Sequence, residues 1–147
     1  MKICFDVNVI IDLFAKSSEM PNAVFSYDIA VLRRFDVFVP ASALADISYI
    51  LHRRSLPKRK VRDAMAALFD LFECIDVNGS DGARALENGM HDYEDAVIAE
   101  SCARNGIDLI ITRNKKDFAL SPVPAITPED FVSTYKPPNY SYAECAI

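Results

Sequence analysis

The chain has 147 residues, of which 51% are hydrophobic and 25% charged, and its formal net charge is -5. This balance predicts one compact domain with a real core and excludes a disordered or fibrous chain. The negative net charge argues against a protein that coats nucleic acid through a general positive potential. The amino terminus has no secretion-signal pattern and no run reaches the roughly 18 apolar residues that span a bilayer, so we expect a cytoplasmic protein with no membrane partner.

The first half of the chain alternates strand and helix patterns. "KICF" predicts a short buried strand, which turns near Asp6 into a helix over "DVNVIIDLFAK". "MPNAVFSYDIAVLRRF" has apolar residues at helical spacing, and "DVFVP" alternates like a strand that Pro40 stops. "ASALADISYILHRR" predicts a third helix, and Pro57 can start a fourth that continues through "KVRDAMAALFDLFECI".

The second half continues the alternation. "IDV" is a third strand candidate closed by a turn at "NGSDG", and "ARALENG" predicts a short helix. A longer helix starts in "HDYEDAVIAE" and runs to about Asn105, with Gly106 as a left-handed cap. "IDLIIT" is the clearest strand, "PAI" is a weak fifth, and "TPEDFVSTY" is a helix that Thr127 can cap. The pattern predicts an α/β fold with a mainly parallel sheet of four to five short strands covered on both faces.

The cysteines give no sign of a cross-linked or zinc-binding protein. They are far apart and form no CxxC pair, and they are Cys4, Cys74, Cys102 and Cys145. We expect them to be reduced and mostly buried.

Acidic and polar side chains fall where an open parallel sheet forms its ligand crevice, beyond the carboxyl ends of the strands. They are Asp6 after the first strand, Asp46 in the helix after the second, Asp92 and Asp95 at the start of the helix before "IDLIIT", and Thr112, Arg113, Asn114 and Asp117 after that strand. Each acid alone also fits a structural role, such as capping a helix, forming a turn or facing solvent.

The set of acids is more informative than its members. Two unit charges about 4 Å apart repel by about 4 kcal/mol at an effective dielectric constant of about 20, so a cluster must hold protons, basic partners or a metal. Oxygen ligands without a paired His or Cys suit Mg²⁺ or Mn²⁺. Such a cation, with open positions left over, is what phosphodiester hydrolysis needs, and Asn8 and Thr112 could add neutral oxygens.

At this point the motifs support a resemblance. "FDVNVIIDLF", "VPASALADISYIL", "DYEDAVIAESCARNGIDLIITRN" and "KDF" resemble the PIN-domain nucleases, including the toxins of bacterial toxin–antitoxin pairs. The resemblance covers residues 2–132, and the stretch from Asp92 to Phe118 is its most specific part. It implies a PIN-like three-layer α/β/α domain over residues 1–135, followed by a tail over 136–147 that we expect to be extended.

The resemblance also implies roles for particular residues. The four catalytic and metal-binding acids would be Asp6, Asp46, Asp95 and Asp117, with Asn8, Asp92, Thr112 and Asn114 as accessory polar residues. The implied activity is Mg²⁺- or Mn²⁺-dependent cleavage of RNA by metal-activated water. Many such domains dimerise, and many toxins are held inactive by a small antitoxin protein.

Two features distinguish this chain from the family pattern. The second acid is usually Glu, and Asp46 is a methylene shorter, so its carboxylate is expected to reach a metal only through water. A basic segment, "HRRSLPKRKVR", also lies between two helices and predicts phosphate contacts. The predicted RNA-binding residues are Arg53, Arg54, Lys58, Arg59 and Lys60 in that segment, together with Arg113, Lys115 and Lys116 near the acids.

Two other classes of function compete with the nuclease. A nuclease-like scaffold that binds RNA or a partner without cutting is compatible with the short acid at Asp46. A phosphoacceptor signalling domain also groups acids at strand ends, but it needs an acid pair after the first strand, where this chain has one acid, Asp6. Motifs for dinucleotides and nucleoside triphosphates are missing, so an oxidoreductase or a kinase has no support.

Overall fold

A computed structural model describes residues 1–140 of the chain. Within that range a single sheet has the strand order β3-β2-β1-β4-β5, and all neighbouring strands are parallel. The strands are β1 Lys2–Phe5, β2 Asp36–Pro40, β3 Glu73–Ile75, β4 Leu109–Ile111 and β5 Ala125–Ile126. The helices are α1 Val7–Phe14, α2 Met20–Leu32, α3 Ala43–Arg53, α4 Lys58–Leu71, α5 Gly79–Ala85, α6 Tyr93–Arg104 and α7 Pro128–Tyr135, with a short 3₁₀ helix at Lys115–Phe118. The predicted α/β class is confirmed.

The two faces of the sheet bury separate apolar cores because successive side chains of a strand point to opposite faces. Ile3 and Phe5 of β1 pack into a core built with α1, α2, α3, α4 and α7. Cys4, between them, packs into a second core that contains Ile98 and Cys102 of α6. Helices therefore cover both faces, as the three-layer prediction requires.

The connection between α4 and α5 differs from the prediction. We expected a strand at "IDV" and a helix continuing into "ECI", whereas α4 ends at Leu71 and β3 occupies Glu73–Ile75. "NGSDG" is not a free turn but the start of α5, because Asn78 and Asp81 form reciprocal capping hydrogen bonds there. These interactions start the helix earlier than the expected "ARALENG".

Other local predictions match the structure. Thr127 caps α7 with Pro128 at its first position, and Gly106 follows α6 with a positive φ of 69°. Cys4 and Cys102 are buried as expected, but Cys74 is exposed. Cys145, with the last seven residues of the predicted tail, lies outside the described range. None of the helices in residues 1–140 is long and apolar enough to cross a membrane.

The central position of β1 places its carboxyl end next to that of β4. The Asp6 N–H donates a hydrogen bond to the Ile111 carbonyl at 2.9 Å, one residue beyond the paired strands. Asp6 and Thr112 thus leave the sheet side by side.

Candidate functional site

Asp6 is the buried carboxylate at the carboxyl end of β1. It is 3% exposed and caps α1, and its Oδ1 accepts a hydrogen bond from the Val7 N–H at 2.8 Å. Burial raises its pKa, and the negative charge of Asp117 adds to the rise. The hydrogen bond from Thr112 and the positive charge of Arg113 act in the opposite direction.

Thr112 fixes the other oxygen of that carboxylate. Its side chain is fully buried, and its hydroxyl donates to Asp6 Oδ2 at 2.7 Å. The same hydroxyl oxygen accepts a hydrogen bond from the Asn114 N–H at 3.0 Å. Thr112 therefore connects the first acid to the loop that leads to Asp117.

Asp95 lies in the first turn of α6, beside this carboxylate. Desolvation by burial is the largest cause that raises its pKa to about 7, followed by the charge of Asp6. Asp92, Asp117 and Glu94 raise it further. The structural role considered for Asp92 is also present, because its Oδ1 caps α6 by accepting from the Asp95 N–H at 3.0 Å.

Asp46 lies on the first turn of α3 and is exposed. Its link to the carboxylates of Asp6 and Asp95 is Glu94, with which it interacts. Burial raises the pKa of Glu94, and the next cause is the negative charge of Asp46. Sequence reasoning did not assign Glu94 to the site, although it is adjacent to Asp95 in the same acidic stretch. Glu94 and Asp46 are therefore neighbours in the folded chain.

Not all acidic side chains of "HDYEDAVIAE" lie near Asp6 and Asp95. Glu100 is 8% exposed and accepts hydrogen bonds from Arg84 Nε at 3.2 Å and Asn88 Nδ2 at 3.1 Å. It joins α6 to the end of α5. His91, the first residue of that stretch, is exposed.

The carboxylates converge without forming a finished metal cage. In residues 1–140, no group of three His, Cys, Asp or Glu side chains is arranged to hold a metal ion. The donor chemistry fits a hard divalent cation all the same, because the donors are carboxylate oxygens whose mutual repulsion adds to burial in raising the pKa of Asp95. A cation among them would compete with the proton for Asp95, whose pKa of about 7 is close to neutral pH.

Arg113 is held by a buried carboxylate that sequence reasoning also missed. Asp12 on α1 is 1% exposed and lies 3.1 Å from Arg113 Nε through its Oδ2, an ion pair without a well-directed hydrogen bond. Its Oδ1 accepts from the Ser17 hydroxyl at 3.0 Å. The pairing directs Arg113 towards the acids, where its charge lowers the pKa of Asp6.

The predicted basic residues lie on two surfaces. Arg113, Asn114, Lys115, Lys116 and Asp117 line an open cavity of about 720 Å³ beside the acids. Arg53, Arg54, Lys58, Arg59 and Lys60 are exposed at the junction of α3 and α4. Asn8, in the first turn of α1, is half-buried beside Asp6 in sequence.

A family model described as the PIN domain matches residues 2–116 of this chain. Because the match covers most of the chain, the protein belongs to the PIN-domain family. Among curated proteins, no significant match is found.

Solved structures of low sequence identity share the fold. One is VapBC2 from Rickettsia felis bound to a promoter DNA fragment, at 13% identity and a TM-score of 0.68, covering 86% of this chain and 98% of the other. A toxin–antitoxin complex from Klebsiella pneumoniae aligns at 21% identity with a TM-score of 0.62, and the match covers 86% of this chain and 97% of the other. The sarcin-ricin loop cleaving toxin VapC20 of Mycobacterium tuberculosis aligns at 16% identity with a TM-score of 0.59, and the match covers 74% of this chain and 86% of the other. At these sequence identities, each similarity shows a shared fold and nothing further.

Proposed function

We propose that this PIN-domain protein is a Mg²⁺- or Mn²⁺-dependent endoribonuclease that hydrolyses phosphodiester bonds of RNA. The observation that carries the proposal is the crowding of Asp6, Asp92, Glu94 and Asp117 around Asp95, which adds to burial in raising its pKa to about 7. Such crowding costs stability unless a cation relieves it. Membership of the PIN-domain family supports the same chemistry.

The proposed ligand set is Asp6, Asp46, Asp95 and Asp117, and Glu94 joins it from the structure. When bound, the cation would lower the pKa of water and neutralise charge on the scissile phosphate. Two hydrogen bonds orient the Asp6 carboxylate, and that from Thr112 opposes the rise in its pKa that burial causes.

The basic side chains near the acids have a supporting role. Arg113, held by Asp12, lies where its positive charge would offset the negative charge of an RNA strand. Lys115 and Lys116 line the adjoining cavity and would contact phosphates on either side of the cleaved bond.

We further propose that the protein is the toxin of a toxin–antitoxin pair, with a small antitoxin protein as partner, and that it forms a homodimer. Support for the antitoxin comes from the similar fold of chains in the Rickettsia felis and Klebsiella pneumoniae complexes. A cytoplasmic location belongs to the same proposal.

One alternative is a PIN-like scaffold that binds RNA or a partner with little or no cleavage. The observation that favours it is the second acid, because Asp46 is exposed and approaches the other carboxylates only through Glu94. Cleavage and binding must therefore be measured separately.

The test is a titration of Mn²⁺ into the purified protein while cleavage of a mixed-sequence single-stranded RNA is followed. We expect metal-dependent cleavage that falls more than about 100-fold in Asp6→Asn and Asp95→Asn, because even residues that only support metal ligands cost about 10- to 100-fold. Asp70→Asn removes an exposed carboxylate of α4 and serves as the matched control, with activity unchanged. Equal cleavage by all of these proteins would assign the activity to a contaminant, and RNA binding without any cleavage would favour the scaffold.

A further inference from the structure

A groove between α3 and α4 lies outside the acidic site. It has a volume of about 370 Å³ and is lined by Ser48, Tyr49, His52, Lys58, Val61 and Arg62. Val61 is buried at 7% exposure, while the charged side chains of the lining are exposed. The groove therefore combines an apolar residue with polar and basic ones.

Tyr49 is the aromatic residue of this groove and leaves most of its side chain in solvent. It is 60% exposed, and the Arg53 guanidinium lies 5.8 Å from its ring centroid. An exposed aromatic ring beside an arginine is the arrangement on which unpaired nucleobases stack.

The position of Tyr49 on α3 links the groove to the acids. Asp46, Tyr49 and Arg53 are three and four residues apart, so they follow one another along the same side of the helix. At about 1.5 Å per residue, Tyr49 lies roughly 4.5 Å and Arg53 roughly 10 Å along the axis from Asp46. A strand whose phosphate sits at the acids and that follows α3 would reach this ring.

The charge of the groove suits the same ligand. Six basic residues lie between positions 53 and 62; Lys58 and Arg62 line the groove and Arg53 lies beside Tyr49, and none of the six forms an ion pair with any residue of the described range 1–140. They are Arg53, Arg54, Lys58, Arg59, Lys60 and Arg62. On a chain whose net charge is -5, this local excess favours a polyanion at this surface.

We propose that Tyr49 and the α3–α4 groove form a nucleobase subsite that stacks an unpaired base of the RNA strand next to the scissile phosphate. The inference rests on the proposed ribonuclease function and specifies its substrate as single-stranded RNA. In a duplex the bases are already stacked on each other and cannot reach the ring.

The test measures binding, not cleavage. Fluorescence anisotropy of a labelled, mixed-sequence single-stranded RNA in EDTA gives the dissociation constant of wild type, Tyr49→Ala, Tyr49→Phe and Arg53→Gln. We expect Tyr49→Ala to weaken binding about 5- to 100-fold with an unchanged salt dependence, because a stacked base adds no counterion release. Tyr49→Phe keeps the ring and should bind like wild type, whereas Arg53→Gln should lower the salt slope by about 0.7.

Two controls make the result specific. Phe69→Ala removes a similarly exposed aromatic side chain, at 57%, from the far end of α4 and should leave affinity unchanged. An RNA of the same length without bases should bind wild type and Tyr49→Ala equally.

Each outcome has a distinct meaning. Equal affinity of wild type and Tyr49→Ala for the base-containing RNA would overturn the subsite while leaving the nuclease proposal intact, provided that the wild type binds and cleaves. A change of oligomeric state in Tyr49→Ala, measured by light scattering, with unchanged RNA affinity would make the groove an interface between copies and would also overturn it. If the wild type bound no RNA at all, that result would contradict the proposed ribonuclease function itself.

Discussion

A neutral hydroxyl determines how the most buried acid of the site behaves. Without a hydrogen bond, a carboxylate as buried as Asp6 would favour its protonated form and lose its value as a metal ligand. Thr112 donates to one oxygen of Asp6, and the Val7 N–H donates to the other. The acid is thus fixed in direction by groups that carry no charge themselves, as the proposed role of Asp6 as a metal ligand requires.

Replacing Thr112 by Val should separate this role from simple packing. The change leaves Asp6 Oδ2 and the Asn114 N–H without their partner, so we expect a loss of about 1 to 3 kcal/mol in the free energy of unfolding. We also expect cleavage to fall about 10- to 100-fold, since the ligand loses its orienting bond. Urea unfolding and RNA cleavage measure the two effects. Thr112→Ser keeps the hydroxyl and should restore most of the activity, and a Ser variant as inactive as Val would contradict the role of the hydrogen bond.

Asp95 predicts how the stability of the metal-free protein depends on pH. Its pKa is about 7 in the folded chain and about 3.9 in an unfolded one, so between these values the folded state holds a proton that the unfolded state has lost. The free energy of unfolding should therefore fall as pH rises from about 4 to about 7 and then level off. Urea unfolding in EDTA over this range measures the effect, and Asp95→Asn should flatten that part of the curve. Parallel curves for the two proteins would show that Asp95 does not titrate in this window.

The positions of two acids were predictable from their places in the chain. Asp6 follows a clear strand and Asp95 opens a clear helix, so the sequence alone places both at the carboxyl edge of the sheet. Glu94 and Asp12 could not be assigned in the same way. Neighbours on a helix point in different directions, and only the packing of α6 against the sheet and of Arg113 against α1 decides which carboxylate faces the site.

At the scale of elements, α5 and α6 are joined by a buried carboxylate. Asp81 is fully buried and accepts hydrogen bonds from Arg104 Nε and Nη2, both at 2.8 Å. It also accepts from the Asn78 N–H at the start of α5 and from Arg84. This network holds the two helices against each other and so fixes the direction in which α6 presents Asp95.

Removing that carboxylate should therefore loosen both helices. We expect Asp81→Ala to lower the free energy of unfolding by about 1 to 3 kcal/mol, because two partly exposed arginines lose a hydrogen-bonding partner and α5 loses its cap. Asp76→Ala removes the exposed partner of Arg104 and should cost less than about 1 kcal/mol. Thermal or urea unfolding of the two variants provides the comparison, and similar small losses would show that the network contributes little.

The same region shows where prediction of elements from sequence stopped working. The apolar spacing of α4 continues into "ECI", so periodicity alone placed the helix end too late. What ends α4 is pairing of Glu73–Ile75 with β2, a contact between segments that are distant along the chain. Elements with local signals, such as the Thr127 and Pro128 start of α7, were predicted correctly because the capping residues are themselves sufficient.

For the whole molecule, the fold class could be predicted with more certainty than the site. Alternating strand and helix patterns allow few topologies, and the observed parallel sheet with helices on both faces is one of them. The predicted convergence of acids concerned only the backbone positions at strand ends. Whether side chains meet there depends on distances that differ by a few ångströms, which no pattern of residue types contains.

The bond between Asp6 and Thr112 joins positions that are 106 residues apart along the chain. Synthesis proceeds from the amino terminus at about 5 to 20 residues per second, so Thr112 is added roughly 5 to 20 s after Asp6. During that interval the nascent polypeptide carries no assembled pocket. A chain interrupted before β4 would accordingly lack the hydroxyl that orients the first acid.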